Sequence, residues 1–262
     1  PSEPVWFVNT ISDNQLEISF DLGGYFVEDL PNGKNKITFP GGVPNLEVGT
    51  PDLPKMAQSI IIPDLAHMEL SIVESEFVEF FMENLISSKG NLTRNIDPAS
   101  VPYTFGQAYE TDEFYPQDIV FMRNPYIMRT VRGQAIVFQP IQYNPIQRTL
   151  RVYTHIKVNI QQNGMSQINP LTRRPAKNGS REFENIYAEH FLNYSTNSRY
   201  ELLGEEGPML VVCYGEFMES MQPFVEWKNY KGIPIEMVDV ADIGDTDEIE
   251  AFVETKYYDD GI

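Results

Sequence analysis

Few side chains in this sequence could perform chemistry, and the only thiol belongs to Cys213. Cys213 ends the apolar run MLVVC at 209–213, with no basic residue beside it in the sequence to favour the reactive thiolate. Free cysteines are among the most frequently buried residues and behave as small apolar side chains. We therefore interpret Cys213 as a core residue, and the sequence assigns no catalytic residue to this chain.

Neither the histidines nor the acidic residues predict a metal site. The histidines lack metal-ligand spacing and are predicted to be surface or hydrogen-bonded residues: His67, His155 and His190. Clustered carboxylates near the C-terminus could hold Ca²⁺, which binds several oxygens at once: Asp239, Asp242, Asp245 and Asp247. Because this cluster lacks the spacing of an EF-hand loop, we interpret it as a solvated face and helix cap and assign no metal.

The composition excludes several classes of protein. Apolar residues make up 42% of the 262 residues, which is typical of globular chains and excludes collagen-like structure and wholesale disorder. The net charge of −19 argues against nucleic-acid binding, which needs a basic surface. No apolar run approaches the roughly 18 residues of a membrane-spanning helix. The start, PSEPVWF, lacks the features of a signal peptide, so an exported protein would already have lost that segment.

The negative charge is concentrated at the C-terminal end. From residue 200 onward there are 16 acidic and 3 basic residues, against 22 and 16 in residues 1–199. A shift of this size predicts a domain boundary near residue 200. We expect a β-sandwich domain over 1–160, a linker with a short helix and a junction over 161–207, and a second domain from 208 to 262.

Alternation with period two dominates the first part of the chain and predicts half-buried strands. In 150–160, Leu150, Thr154 and Ile160 belong to the set predicted to face the core, and Arg151 and Tyr153 to the set facing water. Residues 16–22 repeat the pattern, and shorter candidate strands lie at 35–39, 59–62, 69–73, 77–81, 118–122 and 134–138. Frequent turn residues between them favour a mainly β protein with an antiparallel, jelly-roll-like β-sandwich.

The remaining segments predict a polar linker, a short helix and the opening of an α/β domain. Residues 161–180 are rich in Asn, Gly, Pro and Ser, and helical spacing follows over 183–194. A buried strand at 209–213, a helix starting near Ser220 and stopping at Gly232, a strand at 235–240 and a helix from about Thr246 give a β-α-β-α order. Such a segment is too short to close a parallel-sheet domain, so we expect the chain to stop inside it unless another chain completes the sheet.

Several longer runs together resemble one known family. They are SSKGNLTRNIDPASVPYTFGQAYETDEFYPQDI (87–119), RTVRGQAIVFQPIQYNPIQRTLRVYTHIKV (129–158) and FENIYAEHFLNYSTNSRY (183–200), preceded by GTPDLPKMAQSIIIP (49–63). These runs resemble the propeptide of the gingipains, which are secreted bacterial cysteine endopeptidases with a caspase-like catalytic domain. MLVVCYGEFMESMQPFVEWKNYKGIPIEMVDVADIG (209–244) resembles the first β-α-β unit of that domain. The resemblance implies a zymogen segment whose catalytic histidine and cysteine lie beyond residue 262, so the chain alone should be inactive.

The resemblance implies roles for three residues. Arginine-specific gingipains are cut after an arginine that follows an NY-containing stretch, and Arg199 followed by Tyr200 matches that junction. Arg94 aligns with the arginine that gingipain prodomains present to the peptidase as a substrate mimic. Arg94 could instead be an ordinary exposed arginine beside a turn. Arg199 could be one of several exposed linker arginines, which include Arg173, Arg174 and Arg181. Family members bind calcium, but no ligand set in this sequence is assigned to it.

The implied function is that of a prodomain that inhibits its peptidase and assists its folding until it is cleaved. The expected partners are the remainder of its own catalytic domain and the protein or peptide substrates of the mature enzyme, and the expected location is secreted or at the bacterial cell surface. Two alternatives stay open. The chain could be a non-catalytic β-sandwich module that binds glycan or protein, or part of a related peptidase that processes cargo of the secretion machinery.

Overall fold

The computed structural model describes residues 1–31, 33–172, 179–194, 202–203, 208–260 and 262. The chain divides into two units, Pro1–Leu171 and Thr172–Ile262. Each unit has its own secondary structure, and the two are described in turn.

The regular elements of the first unit are almost all strands. They are β1 (Val5–Ser12), β2 (Gln15–Asp21), β3 (Phe26–Asp29), β4 (Asn35–Thr38), β5 (Val43–Pro44), β6 (Pro54–Ile62), β7 (Ala66–Phe81), β8 (Val120–Met122), β9 (Tyr126–Met128), β10 (Val131–Phe138), β11 (Ile141–Asn144) and β12 (Thr149–Met165). One five-stranded antiparallel sheet runs β1-β2-β12-β11, with β7 also paired to β12. A second runs β5-β6-β10-β8, with β9 also paired to β10, and β3 and β4 form a separate hairpin. The prediction of a mainly β fold with antiparallel sheets is confirmed; the jelly-roll strand order stays a prediction.

Aromatic side chains join the two large sheets. Phe20 of β2 stacks on Phe138 of β10 with ring centroids 5.2 Å apart. Trp6 of β1 meets both rings edge-on, at 4.9 Å and 5.0 Å. Phe20 and Phe138 are fully buried. Burying an aromatic side chain of this kind stabilises the fold by about 1.5–3 kcal/mol, so this group contributes a large share of the contact between the sheets.

The alternation predicted for β2 and β12 is confirmed except at one point in β12. Leu150 and Ile160 are buried as predicted, but Tyr153 is buried and Thr154 is exposed, so the prediction for those two residues was wrong. The pairing of β12 with β7 shifts register between Tyr153 and His155. Thr154 is the extra residue at this bulge, which leaves it out of the pairing and disrupts the alternation locally, and Ile160 is again on the predicted face.

The two candidate strands at 69–73 and 77–81 form one strand, β7. The polar stretch between them was not assigned to a strand, but it stays paired along β12, where Glu74 lies opposite Lys157 and Glu76 opposite His155. A cross-strand pair of opposite charge, such as Glu74 and Lys157, favours this register. The strand is continuous because of partners that lie far away in the sequence.

Residues 161–171, the first part of the predicted linker, belong to the first unit. Strand β12 continues to Met165, and the first unit extends to Leu171, which is buried. The fully buried Arg132 holds this end of the unit, since its guanidinium donates to the carbonyl oxygens of Asn169 at 2.8 Å and Ile168 at 2.9 Å. Backbone held in this way cannot act as a flexible linker, despite its polar composition.

The second unit begins with short elements and then follows the predicted α/β order. Its elements are β13 (Gly179–Ser180), α1 (Arg181–His190), β14 (Leu202–Leu203), β15 (Met209–Cys213), α2 (Met218–Tyr230), β16 (Ile235–Asp239), α3 (Val240–Ile243) and α4 (Thr246–Thr255). Strands β15 and β16 pair in parallel, from Met209 opposite Ile235 to Cys213 opposite Asp239. The predicted opening of a parallel-sheet domain is therefore present as a two-stranded unit.

The helix ends predicted for this unit differ from the observed ends by a few residues in two helices and agree at Gly232. Helix α1 ends at His190 rather than at 194, and α2 starts at Met218 rather than near Ser220, with Pro223 in its second turn. The stop at Gly232 is confirmed, because Ile233 N–H donates to the Lys228 carbonyl in a Schellman arrangement with Gly232 at φ 86°. None of the helices in the described ranges is both long and apolar enough to cross a lipid bilayer.

Candidate functional site

A long loop between β7 and β8 contains Arg94 and is closed at its base by a single glycine. The Gly49 N–H donates to the Ser88 carbonyl at 3.0 Å, and the Gly49 carbonyl accepts from the Gly106 N–H at 2.8 Å. One residue of a distant segment therefore joins the two ends of an excursion of nearly twenty residues. We call residues 88–106 the Arg94 loop. Compact loops with adjoining ends are frequently functional.

The conformation of Gly49 explains why a glycine stands there. Its φ of 82° lies in the left-handed region that side chains with a Cβ rarely adopt. A Cβ at this position would also lie 3.2 Å from the Gly106 nitrogen. Any residue with a side chain would strain the backbone here, and its Cβ would press against the Gly106 backbone.

Lys89 joins the two arms of the loop above its base. Its ammonium donates to the Pro98 carbonyl at 2.7 Å and lies 4.2 Å from the centroid of the Tyr103 ring. A cation over an aromatic face adds about 0.5–1 kcal/mol at exposed sites. Asp97 then caps the short 3-10 helix Pro98–Ser100 by accepting from Ala99 N–H at 2.9 Å.

Arg94 lies in a hydrogen-bonded turn at the far end of the loop. The Ile96 N–H donates to the Thr93 carbonyl at 3.0 Å, so Arg94 and Asn95 are the two central residues of the turn. The Thr93 hydroxyl donates to the Asn95 side-chain oxygen at 2.6 Å and tightens it. Arg94 is exposed, and its guanidinium has no hydrogen-bond or ion-pair partner within the part of the chain that the structure describes. It is thus an accessible cation on a backbone of defined shape.

A cavity of about 770 Å³ lies beside the base of the loop. Inside it, the Asn45 amide donates to the Tyr115 hydroxyl at 2.6 Å, which in turn donates to a Glu47 carboxylate oxygen at 3.0 Å. Burial raises the pKa of Tyr115 to about 12, so the phenol stays protonated at neutral pH. Burial, together with Arg123, lowers the pKa of Lys55, whose ammonium donates to Asn45. These hydrogen bonds hold Asn45 and Glu47, which lie shortly before Gly49 in the sequence.

The other residues singled out in the sequence are not brought together. Cys213 is buried, as interpreted, and its thiol donates weakly to the Tyr214 carbonyl at 3.6 Å. His67 and His190 are exposed, whereas His155 is partly buried with its Nδ1 2.5 Å from Asp21. Across the described ranges, no group of three metal-binding side chains occurs. The junction residues Arg199 and Tyr200 lie outside the described residues.

The acidic cluster caps helices, as interpreted. Asp239 accepts from Ala241 N–H at the start of α3. Asp245 caps α4 and forms a capping box with Glu248. Carboxylates used in this way satisfy the free N–H groups of the first helical turn.

Two residues that position the Arg94 loop were missed in the sequence. Gly49 belonged to the resembling run 49–63, but nothing in its neighbours indicates that it contacts residues 88 and 106. Lys89 belonged to the resembling run 87–119, and no role was assigned to it. The residue type of Gly49 could have indicated an unusual backbone conformation, since an isolated glycine outside a regular element commonly marks one. Its hydrogen bonds to residues 88 and 106 could not be predicted without the fold.

Comparison with known proteins gives consistent matches. The family model Propeptide_C25 matches residues 22–200. Gingipain R2 of Porphyromonas gingivalis is 35% identical over 230 residues, which are 86% of this chain and 31% of that protein. Lys-gingipain of the same organism is 27% identical over 232 residues, which are 85% of this chain and 13% of that protein. The chain therefore spans less than a third of the length of these curated relatives.

Solved structures also match this chain. A chain from the complex of Porphyromonas gingivalis RgpB pro- and mature domains aligns with a TM-score of 0.64 at 31% identity, covering 72% of this chain and 98% of that one. A structure concerned with the zymogenic latency of gingipain K aligns with a TM-score of 0.54 at 22% identity, covering 61% and 93%. At that identity, the second match shows a shared fold alone.

Proposed function

This chain belongs to the C25 propeptide family, and we propose that it is the N-terminal part of a gingipain-like cysteine endopeptidase precursor. In this proposal the first unit blocks the active site of the peptidase and assists its folding, and the second unit begins the caspase-like catalytic domain. The catalytic histidine and cysteine would follow residue 262, so the chain itself would be inactive. Its partner would be the rest of its own catalytic domain.

The observation that carries the proposal is the exposed Arg94 in a closed turn. A peptidase that cuts after arginine needs an acidic pocket, because paired guanidinium–carboxylate hydrogen bonds are the strong and selective contact for this side chain. Peptide segments are usually bound in extended form, through main-chain hydrogen bonds. Arg94 offers the guanidinium to such a pocket, while the turn from Thr93 to Ile96 keeps the following bond out of an extended conformation.

Activation would occur by cleavage between Arg199 and Tyr200. The change in charge along the sequence falls at this bond, since the strongly acidic part of the chain begins there. Cleavage would separate the propeptide from the catalytic domain in the sequence and allow inhibition to be lost. We further propose that the precursor is exported, with proteins or peptides as substrates of the mature enzyme, and we assign no calcium ligands to this chain.

The experiment adds the 262-residue chain to the mature peptidase of the same precursor. The unchanged chain should inhibit the hydrolysis of an arginyl peptide substrate, and the Arg94→Ala chain should inhibit at least tenfold less, because the guanidinium contact is lost. N-terminal sequencing of the processed precursor should give a new start at Tyr200. An Arg94→Ala chain of unchanged potency would remove Arg94 from the mechanism, and a start after a lysine would indicate a lysine-specific enzyme.

Two other functions were open from the sequence. The family match favours a precursor over a free-standing module that binds glycan or protein. A C25 peptidase that processes cargo of the secretion machinery would share this architecture. The two peptidase roles differ in their substrates, so cleavage of general peptide substrates by the mature enzyme distinguishes them.

A further inference from the structure

The exposed Arg94 makes its own loop a potential cleavage site for the peptidase that it would inhibit. An accessible arginine in a long loop is what an arginine-specific peptidase cleaves, and cleavage would end inhibition. Binding without cleavage requires that the loop keep its shape, because a segment ordered in advance loses little conformational entropy on binding and does not relax into the extended form. The structure must therefore contain contacts that oppose opening of the turn.

The contacts at the base of the loop do not reach the turn. Gly49 joins residues 88 and 106, and the bonds of Thr93 lie within the turn itself, so neither set of contacts spans the segment between the base and the turn. Lys89 is the side chain that crosses this gap. Its bond to the Pro98 carbonyl and its position over Tyr103 link the arm before Arg94 to the arm after it.

We propose that Lys89 is a positioning residue that keeps the Arg94 turn closed, so that the engaged peptidase holds Arg94 without cutting the bond after it. The proposal rests on the proposed inhibitory function. Lys89 acts by a crosslink within the loop and has no direct role toward the peptidase. Without the crosslink the two arms separate, the turn opens, and the inhibitor becomes a substrate.

The test compares the cleavage rate of the Arg94–Asn95 bond, followed by mass spectrometry, in the unchanged chain and in Lys89→Met. Two peptidases are used: the mature peptidase of the same precursor and an unrelated arginine-specific endopeptidase. When cleavage occurs from the open form, its rate follows the population of that form. Loss of one cation–π contact and one hydrogen bond should raise the rate about 5- to 50-fold.

Three variants separate positioning from general damage to the fold. Lys89→Arg keeps both contacts and should restore slow cleavage of the Arg94–Asn95 bond, counted only in chains that are still uncut after residue 89. Tyr103→Leu removes the ring alone and should raise the rate about 2- to 5-fold. Lys231→Met removes a cation that lies 4.6 Å from the Trp227 ring in the second unit, and should leave the rate unchanged. The Tm of Lys89→Met should match that of Lys231→Met, since both lysines are at the surface.

The outcomes distinguish this inference from the function it rests on. Cleavage of Lys89→Met at the unchanged rate by both peptidases would overturn the positioning role, even if Arg94→Ala abolished inhibition. A faster rate that Lys89→Arg does not restore would overturn it as well. Faster cleavage by the unrelated peptidase, together with an Arg94→Ala chain of unchanged inhibitory potency, would establish the crosslink and refute the inhibitory function.

Discussion

Replacement of Arg132 by methionine should lower the free energy of unfolding of the first unit by about 3–5 kcal/mol. Arg132 is fully buried, and its guanidinium donates to four backbone carbonyl oxygens. Two belong to the turn between β6 and β7, at Pro63 and Ala66, and two to the end of the unit, at Ile168 and Asn169. The side chain therefore joins two segments that are remote in sequence.

The magnitude follows from the four bonds and from the cost of burying the cation. A hydrogen bond from a charged donor contributes about 1.5–3 kcal/mol, so four bonds give about 6–12 kcal/mol. Methionine fills a similar volume and avoids the burial of a charge, which recovers several kcal/mol. We therefore expect a loss below this sum and adopt about 3–5 kcal/mol, the usual cost of removing one member of a buried charged contact.

Urea denaturation of the full chain measures this loss. The chain has two tryptophans, so a Trp227→Phe background leaves the fluorescence of Trp6, which packs on Phe20 and Phe138 in the first unit. With a slope of about 2 kcal/mol per molar urea, Arg132→Met should lower the midpoint by about 2 M.

The matched control for this measurement is Arg148→Met. Arg148 forms an ion pair with Glu83 at 2.7 Å in which both side chains are 53% exposed. Exposed pairs of this kind contribute less than about 1 kcal/mol, so the midpoint should move little. If the two variants shift the midpoint equally, the four carbonyl contacts of Arg132 do not hold the end of the unit, and the reasoning is refuted.

Two further predictions concern the segment around the loop base. Burial raises the pKa of Asp52 above its usual 3.8, with Lys36 opposing, so the folded state favours the protonated acid. The stability associated with Asp52 is therefore fully present below pH 3.8 and falls as pH rises through the folded pKa. Asp52→Asn should raise the urea midpoint at pH 7 and leave it unchanged at pH 3, and a lower midpoint at pH 7 would contradict this. Gly49→Ala should cost about 1–2 kcal/mol for its left-handed backbone and also speed hydrogen exchange at the Gly106 amide. Gly164→Ala shares the left-handed backbone but has no neighbour within 4 Å, so exchange at Gly106 should be unaffected, and equal exchange in both variants would contradict a specific role for Gly49.

Patterns that depend on neighbours in the sequence predicted structure well. The apolar run 209–213 is the strand β15, and Asp245 and Glu248 form the predicted capping box. The stop at Gly232 was predicted for the same reason, because a Schellman motif uses groups within six residues of each other. The start of α2 was missed by two residues, since helix ends depend weakly on any one side chain.

Features that depend on strand pairing could not be predicted. No local feature marks the bulge that buries Tyr153 and exposes Thr154, because it arises where β12 pairs with β7. Strand β7 is continuous for the same reason. Arg132 was not singled out at all, although it is the largest fully buried side chain, since charged residues are rarely buried and its four acceptors come from two distant segments.

The features of the candidate site also separate into those that depend on neighbouring residues and those that depend on distant contacts. The amino-acid sequence predicts many strands over residues 1–160, an acidic α/β segment after them and, through resemblance, a propeptide that contains Arg94. The contacts of Gly49 at the base of the Arg94 loop and of Lys89 across the loop become visible in the fold. Local conformational preferences act within a few residues and leave a pattern in the sequence, whereas a contact between residues tens of positions apart depends on how the whole sheet folds.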